Sequence, residues 1–124
     1  MHKLIDELNL SKSAITIELS VPYEQLQEEI ASADAVIIPS YSEGFCYAAV
    51  ETMAIGTPLI VSGQGALSEV VTGQYINYNS VEPSDLAYAM LQAMNGAWTV
   101  VDQVNFPLQR TIDQYIDLYE NLAN

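Results

Sequence analysis

Two short runs in which every residue is apolar, residues 35–38 (AVII) and Leu59–Val61, bracket a segment, residues 45–54, that is apolar nearly all round. Strands this short and unalternating are expected where helices cover both faces of a parallel sheet. Pro39 closes the first run, and Gly56 is placed to stop the helix between the two. A parallel pair needs such a crossover, so the stretch reads as a βαβ unit, and few fold classes other than α/β can hold one.

The rest of the chain continues the alternation. Leu4, Ile5, Leu8 and Leu10 fall at helical spacing, residues 14–19 (AITIEL) read as a strand, and Pro22 opens a helix that carries Leu26 and Ile30 on one side and ends near Ser32. After the loop at residues 62–65, a short helix over residues 67–71 and a strand over residues 75–78 are expected. Pro83 and Asp85 begin a helix reaching Asn95, with Leu86, Met90 and Met94 on one stripe and Gly96 as its stop. Residues 97–106 carry no assignable pattern. Over residues 107–124 a C-terminal helix is marked by Leu108, Ile112, Tyr115, Ile116, Tyr119 and Leu122. The expectation is a single domain, residues 1–124, with a doubly wound parallel sheet of about four strands and flanking helices.

Charge narrows the partners. Sixteen acidic residues against three basic ones give a net charge of -13, which opposes a nucleic-acid backbone or an anionic membrane. A phosphorylated ligand would have to be held by backbone amides at helix N-termini, because cations are scarce. The lone Cys46 permits no intrachain disulfide and leaves too few soft ligands for structural zinc, so a reducing cytoplasm is expected. Asp6 and Glu7 interrupt Leu4 and Ile5 before a leader could form. The longest uncharged run, residues 52–68, contains Gly56, Pro58, Gly63 and Gly65 and does not read as a membrane span. A soluble protein follows as an expectation.

Three glutamates, Glu43, Glu51 and Glu69, stand in this otherwise nearly uncharged central stretch. Open parallel sheets bind ligands beyond the carboxyl ends of their strands, and Glu43 lies in the loop after residues 35–38. Gly44 admits close backbone approach, and the amides of Gly44, Phe45 and Cys46 are expected at the positive end of the following helix. Glu51 follows Glu43 by eight positions, about 12 Å along a helix axis. That spacing suits two acids gripping different hydroxyl-bearing parts of one extended ligand better than an acid and base across one glycosidic bond. Glu69, beyond Gly63 and Gly65, would bring a third carboxylate to the neighbouring strand end.

Each of these residues has a plainer role open to it. Glu43 and Glu69 could be first-turn helix acids, and Gly63 with Gly65 could make only a turn. Glu51 fits such a role less well, because an acid among Phe45, Tyr47, Ala48, Ala49, Val50 and Met53 is costly to bury without a partner. Cys46 reads as a small core residue, His2 being the sole histidine that could activate it. Tyr115, Tyr119 and the methionines, at helical spacing, read as core packing.

Residues 42–71 (SEGFCYAAVETMAIGTPLIVSGQGALSEVV) resemble the donor-binding signature of the retaining, nucleotide-sugar-dependent glycosyltransferases of the two-Rossmann-domain GT-B architecture, family 4 type ("group 1"). The hallmark is two glutamates separated by seven residues (EX7E), matched by Glu43 and Glu51, then a glycine-containing loop ending in glutamate, matched by Gly65 and Glu69. The similarity continues from ITIELSVPYEQLQEEIASADAVIIPS through EPSDLAYAM to QYIDLYENL. It implies a Rossmann-like sheet forming part of a C-terminal, donor-binding domain. It further implies that Glu43, the one catalytic candidate, contacts the donor hexose and that Glu51 takes the ribose hydroxyls. The amides of Gly44, Phe45 and Cys46 would meet the sugar or diphosphate, and the loop from Gly63 through Gly65 to Glu69 would close over the sugar. The donor would be a nucleotide-diphosphate sugar, with no bound metal and no other cofactor.

The sequence also departs from that signature. Cys46 stands where glycine is usual, Ala66 where a second glycine is common and Ser68 where proline is common. The family's opening strand-helix-strand, with its Gly-Arg and Lys-Gly cations, has no counterpart in residues 1–124, and neither does the acceptor-binding domain. In the strand order 3-2-1-4-5-6, residues 14–19 would be the third strand and residues 35–38 the fourth. The intervening pair could come from a preceding N-terminal segment or a partner chain. Alternatively the two flanking strands pair directly, or the open edges join copies in a homo-oligomer. The expectation is a donor-binding domain for hexose transfer that is inactive alone. The alternatives are a non-catalytic nucleotide-sugar or sugar-binding module, a subunit completing another glycosyltransferase, or an assembly protein that binds no ligand.

Overall fold

The computed structural model describes residues 2–11 and 13–123; the side chain of His2 lies outside that description. The elements run α1 (His2–Glu7), α2 (Tyr23–Ser32), β1 (Val36–Ile38), α3 (Tyr47–Ile55), β2 (Leu59–Val61), α4 (Leu67–Val70), β3 (Gln74–Asn77), α5 (Pro83–Met94), β4 (Thr99–Val100) and α6 (Leu108–Ala123). They build one four-stranded sheet in the order β1-β2-β3-β4. Val36 pairs with Leu59 and Leu59 with Tyr75 in parallel, whereas Tyr75 pairs with Thr99 antiparallel. The expected α/β sheet with flanking helices is therefore present, largely parallel.

Alternation along β2 sorts the two cores. Leu59 and Val61 point to one face, where Ile38, Ala49, Met53, Leu67, Val70 and Val71 close around them. Ile60 points to the other, joining Ile76 and Ala89, with Leu86, Tyr78 and Trp98 packed against them. Thus α3 and α4 cover one face and α5 the other, which is why β2 is apolar at every position. Each such side chain, fully buried, contributes about 1.5–3 kcal/mol. Gly56, in the left-handed region at φ 93°, ends α3, with its amide bonded back to Thr52 and Met53.

Several expectations are corrected. Residues 14–19 form no strand: the segment joins no ladder, and Leu19 is 98% exposed. A strand exists only through a neighbour's backbone, and β1, which pairs with β2 on one side, has no strand on the other among the described residues. Instead Leu4, Ile5, Leu8 and Leu10 of the α1 region line a groove with Ile15 and Ile17. The fourth strand comes from the unassigned residues 97–106 as β4, too short to show a pattern. Helix α3 begins at Tyr47, two residues later than expected, because Cys46 takes φ 66°, ψ 78°. It is not buried all round, since Tyr47 is 75% exposed.

The C-terminal stripe packs on nothing buried. No residue of α6 is buried; Tyr115 and Tyr119 stack on each other with centroids 6.3 Å apart instead of entering a core. Met90 and Met94 are likewise exposed, lining an open cleft with Ile37, Ile60, Ala93 and Trp98 beside the β1 edge. Among the described residues no helix is long and apolar enough to cross a membrane.

Candidate functional site

The carboxyl ends of β1, β2 and β3 converge, and their following loops are tied together by backbone and hydroxyl groups. The Ser62 amide donates to Ile38 O at 3.2 Å, the Tyr78 amide to Val61 O at 3.1 Å and the Ser80 amide to Ser62 O at 3.1 Å. Ser62, fully buried, also donates its hydroxyl to Ser40 O at 2.6 Å. Its carbonyl further accepts from Gln64 Nε2 at 3.2 Å. Ladder pairing carried one residue past β1 and β2 explains why these loops start close together.

Glu43 sits half-buried in the first loop. Its carboxylate accepts from Ser40 Oγ at 2.6 Å, and its backbone carbonyl accepts from the Ala66 amide at 2.9 Å. Gly65, at φ 60°, lies so close to the Glu43 backbone that a Cβ there would stand 2.8 Å from Glu43 N and closer still to Glu43 O. The glycine is required twice, by conformation and by contact. Here the structure brings together two sequence-predicted positions, Glu43 and Gly65, from loops that follow different strands.

Cys46 is half-buried against the α3 core face. Burial pushes its thiol up, the Ala49 amide pulls the other way, and the charge of the neighbouring Glu43 carboxylate with its hydrogen bond pushes up again. A thiol held protonated is a poor nucleophile, which agrees with its reading as a packing residue. The left-handed backbone of Cys46 also gives a physical reason for glycine at this place in the resembling signature. Phe45 packs edge-on against both Tyr47 and Phe106, with centroids 5.3 Å apart in each pair. The amides of Gly44, Phe45 and Cys46 donate to no acceptor among the described residues, and an added Cβ on Gly44 would meet open space.

Glu51 is on α3, half-buried, and accepts from the hydroxyl of Tyr23 at 3.3 Å across the α2 and α3 contact. Because α3 starts at Tyr47, the interval from Glu43 to Glu51 is only partly helical, so the helical ruler of about 12 Å does not measure it. Glu69 is exposed in the short α4, its amide bonded to Ala66 O at 3.0 Å, and it makes no side-chain bond to the Glu43 cluster. Gly63, at φ 69°, lies against the Asn77 and Asn79 side chains, and the Asn79 amide bonds to Asn77 Oδ1 at 3.0 Å.

Sequence reasoning missed Ser40, Ser62 and Tyr23. Ser40 stands three positions before Glu43, a local serine-to-acid spacing that could have been noticed. Ser62 and Tyr23 act across strands and helices, and no spacing rule points to them.

The chain is similar to known proteins in sequence and in fold. Residues 1–116 match the family described as "Glycosyl transferases group 1". An MMP alpha-(1->4)-mannosyltransferase of Mycolicibacterium hassiacum is 43% identical over 85 residues, 68% of this chain and 20% of that protein. A D-inositol 3-phosphate glycosyltransferase of Corynebacterium jeikeium is 30% identical over 98% of this chain and 31% of that protein. Among solved structures, a sucrose-phosphate synthase from Thermosynechococcus elongatus superposes with TM-score 0.69 and 29% identity over 76% of this chain and 24% of its own. The chain thus spans a fifth to a third of the length of these relatives. With a Rossmann-like sheet of the GT-B class and a family match over nearly its whole length, the chain belongs to the glycosyl transferases group 1 family.

Proposed function

We propose that residues 1–124 form one donor-binding domain, which binds a nucleotide-diphosphate sugar for retaining hexose transfer to an acceptor and is inactive alone. The observation that carries this reading is the bond from the Ala66 amide to Glu43 O, which joins the loops after β1 and β2 beyond the strand ends, where parallel sheets take ligands. Glu43 accepts from the hexose hydroxyls and Glu51 from the ribose hydroxyls, an acceptor role that suits carboxylates. The undonated amides of Gly44, Phe45 and Cys46 face the sugar or diphosphate, and the loop from Gly63 to Glu69 covers the sugar. In a chain of net charge -13, amides rather than cations are the phosphate holders it can supply. A reducing, cytoplasmic setting accords with its single cysteine.

A second reading, a subunit that completes another glycosyltransferase, is favoured by the outer edge of β1, which has no strand beside it among the described residues, and by residues 15–18, which join no ladder. Calorimetric titration with uridine, guanosine and adenosine diphosphate sugars tests the donor-binding claim common to both. Binding by the wild-type chain is expected. Glu51→Ala should weaken free nucleotide and nucleotide sugar alike, and Glu43→Ala only the latter. No heat from any of them at millimolar ligand refutes donor binding.

A further inference from the structure

We infer that Ser40 is a positioning residue for Glu43, and that Ser62 holds Ser40 in place for that task. The inference rests on the reading of Glu43 as the hexose-gripping acid and names the residues that set its aim.

A glutamate side chain on a loop has several rotatable bonds, and a ligand that relies on it must fix them on binding. In this structure the fixing is done beforehand. Ser40 Oγ donates to Glu43 Oε1 at 2.6 Å, a charge-assisted bond of the short class. Ser40 is itself anchored, because the hydroxyl of Ser62 donates to its carbonyl at 2.6 Å. Ser62 is fully buried at the end of β2, with its amide bonded to Ile38 O and its carbonyl accepting from the Ser80 amide. The carboxylate is therefore tied through two hydroxyls to the ladder itself.

The backbone of Glu43 is fixed separately, by the Ala66 amide and the close approach of Gly65. Ties on the main chain and on the side chain, the latter from Ser40 with the Cys46 thiol beside it, leave the carboxylate's remaining lone pairs as its adjustable contact. With Oε1 engaged by a donor, a ligand hydroxyl meets an acceptor already oriented. Losing Ser40 leaves Glu43 present but without its short hydroxyl tie, so that only the neighbouring Cys46 thiol restrains its carboxylate and the aim is less well set. Such a change weakens the sugar contact without touching the nucleotide contacts.

The test compares Ser40→Ala, Ser40→Thr, Ser62→Ala and Glu43→Ala in the full chain. Each is titrated with UDP-glucose, GDP-mannose, ADP-glucose, UDP, GDP and ADP, and circular dichroism verifies the fold. For whichever sugar nucleotide the wild type binds, Ser40→Ala should weaken affinity by about tenfold and leave the matching free nucleotide unchanged, while Ser40→Thr, which keeps the hydroxyl, restores it. Ser62→Ala should give a smaller loss of the same selectivity, and serves if Ser40→Ala misfolds. Loss with Glu43→Ala but none with Ser40→Ala or Ser62→Ala overturns the positioning role and leaves the reading of Glu43 intact. Equal weakening of sugar nucleotide and free nucleotide by Ser40→Ala overturns it as well, marking a general structural effect. A wild type that binds none of the three sugar nucleotides, or a Glu43→Ala chain that binds sugar nucleotide and free nucleotide as before, overturns the reading and the inference together.

Discussion

Replacing Gly65 by alanine tests the joint between the two site loops. At φ 60° an alanine bears about 1–2 kcal/mol of left-handed strain. The new Cβ also meets main chain, at 2.8 Å from Glu43 N and 3.3 Å from Glu43 C, as well as Glu43 O. A backbone already bonded through its carbonyl to Ala66 cannot turn aside as a side chain does, so overpacking adds roughly 1–3 kcal/mol. Reduced freedom of the unfolded chain returns about 0.4–1 kcal/mol. The net expectation is a loss of about 1–5 kcal/mol, centred near 3 kcal/mol, or a fall in Tm on the order of 10 °C for a domain of this size. Gly96→Ala is the control: it has φ 74° and nothing within 4 Å of its added Cβ, so strain acts alone and the loss stays near 1 kcal/mol. Urea and thermal unfolding followed by circular dichroism read both. Equal losses for the two variants would show that Gly65 does not press on Glu43, and the tie between the loops would fail with it.

Two further outcomes follow from the same geometry. Gly44→Ala, whose added Cβ meets nothing, should leave Tm within about 2 °C of wild type while weakening sugar-nucleotide binding, because it fills space proposed for the ligand; calorimetry beside a melting curve checks both halves. Glu43→Gln removes one of the influences that raise the Cys46 thiol, so the thiol's pKa should fall and its alkylation by iodoacetamide at fixed mildly alkaline pH should speed up; an unchanged or slower rate contradicts the contact. The sign for stability is also set. A thiol whose folded pKa is raised stabilises the fold fully below its unfolded value and loses that contribution as pH climbs through the folded one, so the Cys46 effect belongs to the alkaline limb.

The parts of this fold that could be read from sequence are those whose cause is local. Leu59–Val61 is apolar at each position because α3, α4 and α5 cover both of its faces, and periodicity records that directly. Pro83 at the start of α5 and Gly56 after α3 mark boundaries through their own backbone limits. The start of α3 could not be placed this way, because Cys46 takes a left-handed conformation that its residue type does not advertise. Likewise Ser62 reaches Ser40 only after β1 and β2 have paired, a contact between positions separated by 22 residues.

Residues 14–19 carry the lesson further. Ile15 and Ile17 alternate with Thr16 and Glu18 as a half-buried strand should, and the α1 leucines line one groove with these isoleucines. What it lacks is a second backbone. Strand propensity describes a residue's fit to a pleated surface, whereas the strand itself is a property of the pair, so a sequence can specify the first and leave the second to whatever lies alongside. The same holds at β1. Val36, Ile37 and Ile38 are as apolar as β2, yet Ile37 is 37% exposed because, among the described residues, the outer edge has no strand beside it and the cleft toward Met90 and Met94 stands open. Composition suited to a central strand thus sits on an edge. The site loops escape this difficulty because they leave the carboxyl ends of β1, β2 and β3, which the β1–β2 and β2–β3 pairings fix against one another. Glu43 can therefore be held by Ser40, Ser62, Gly65 and Ala66 whatever occupies the open edge.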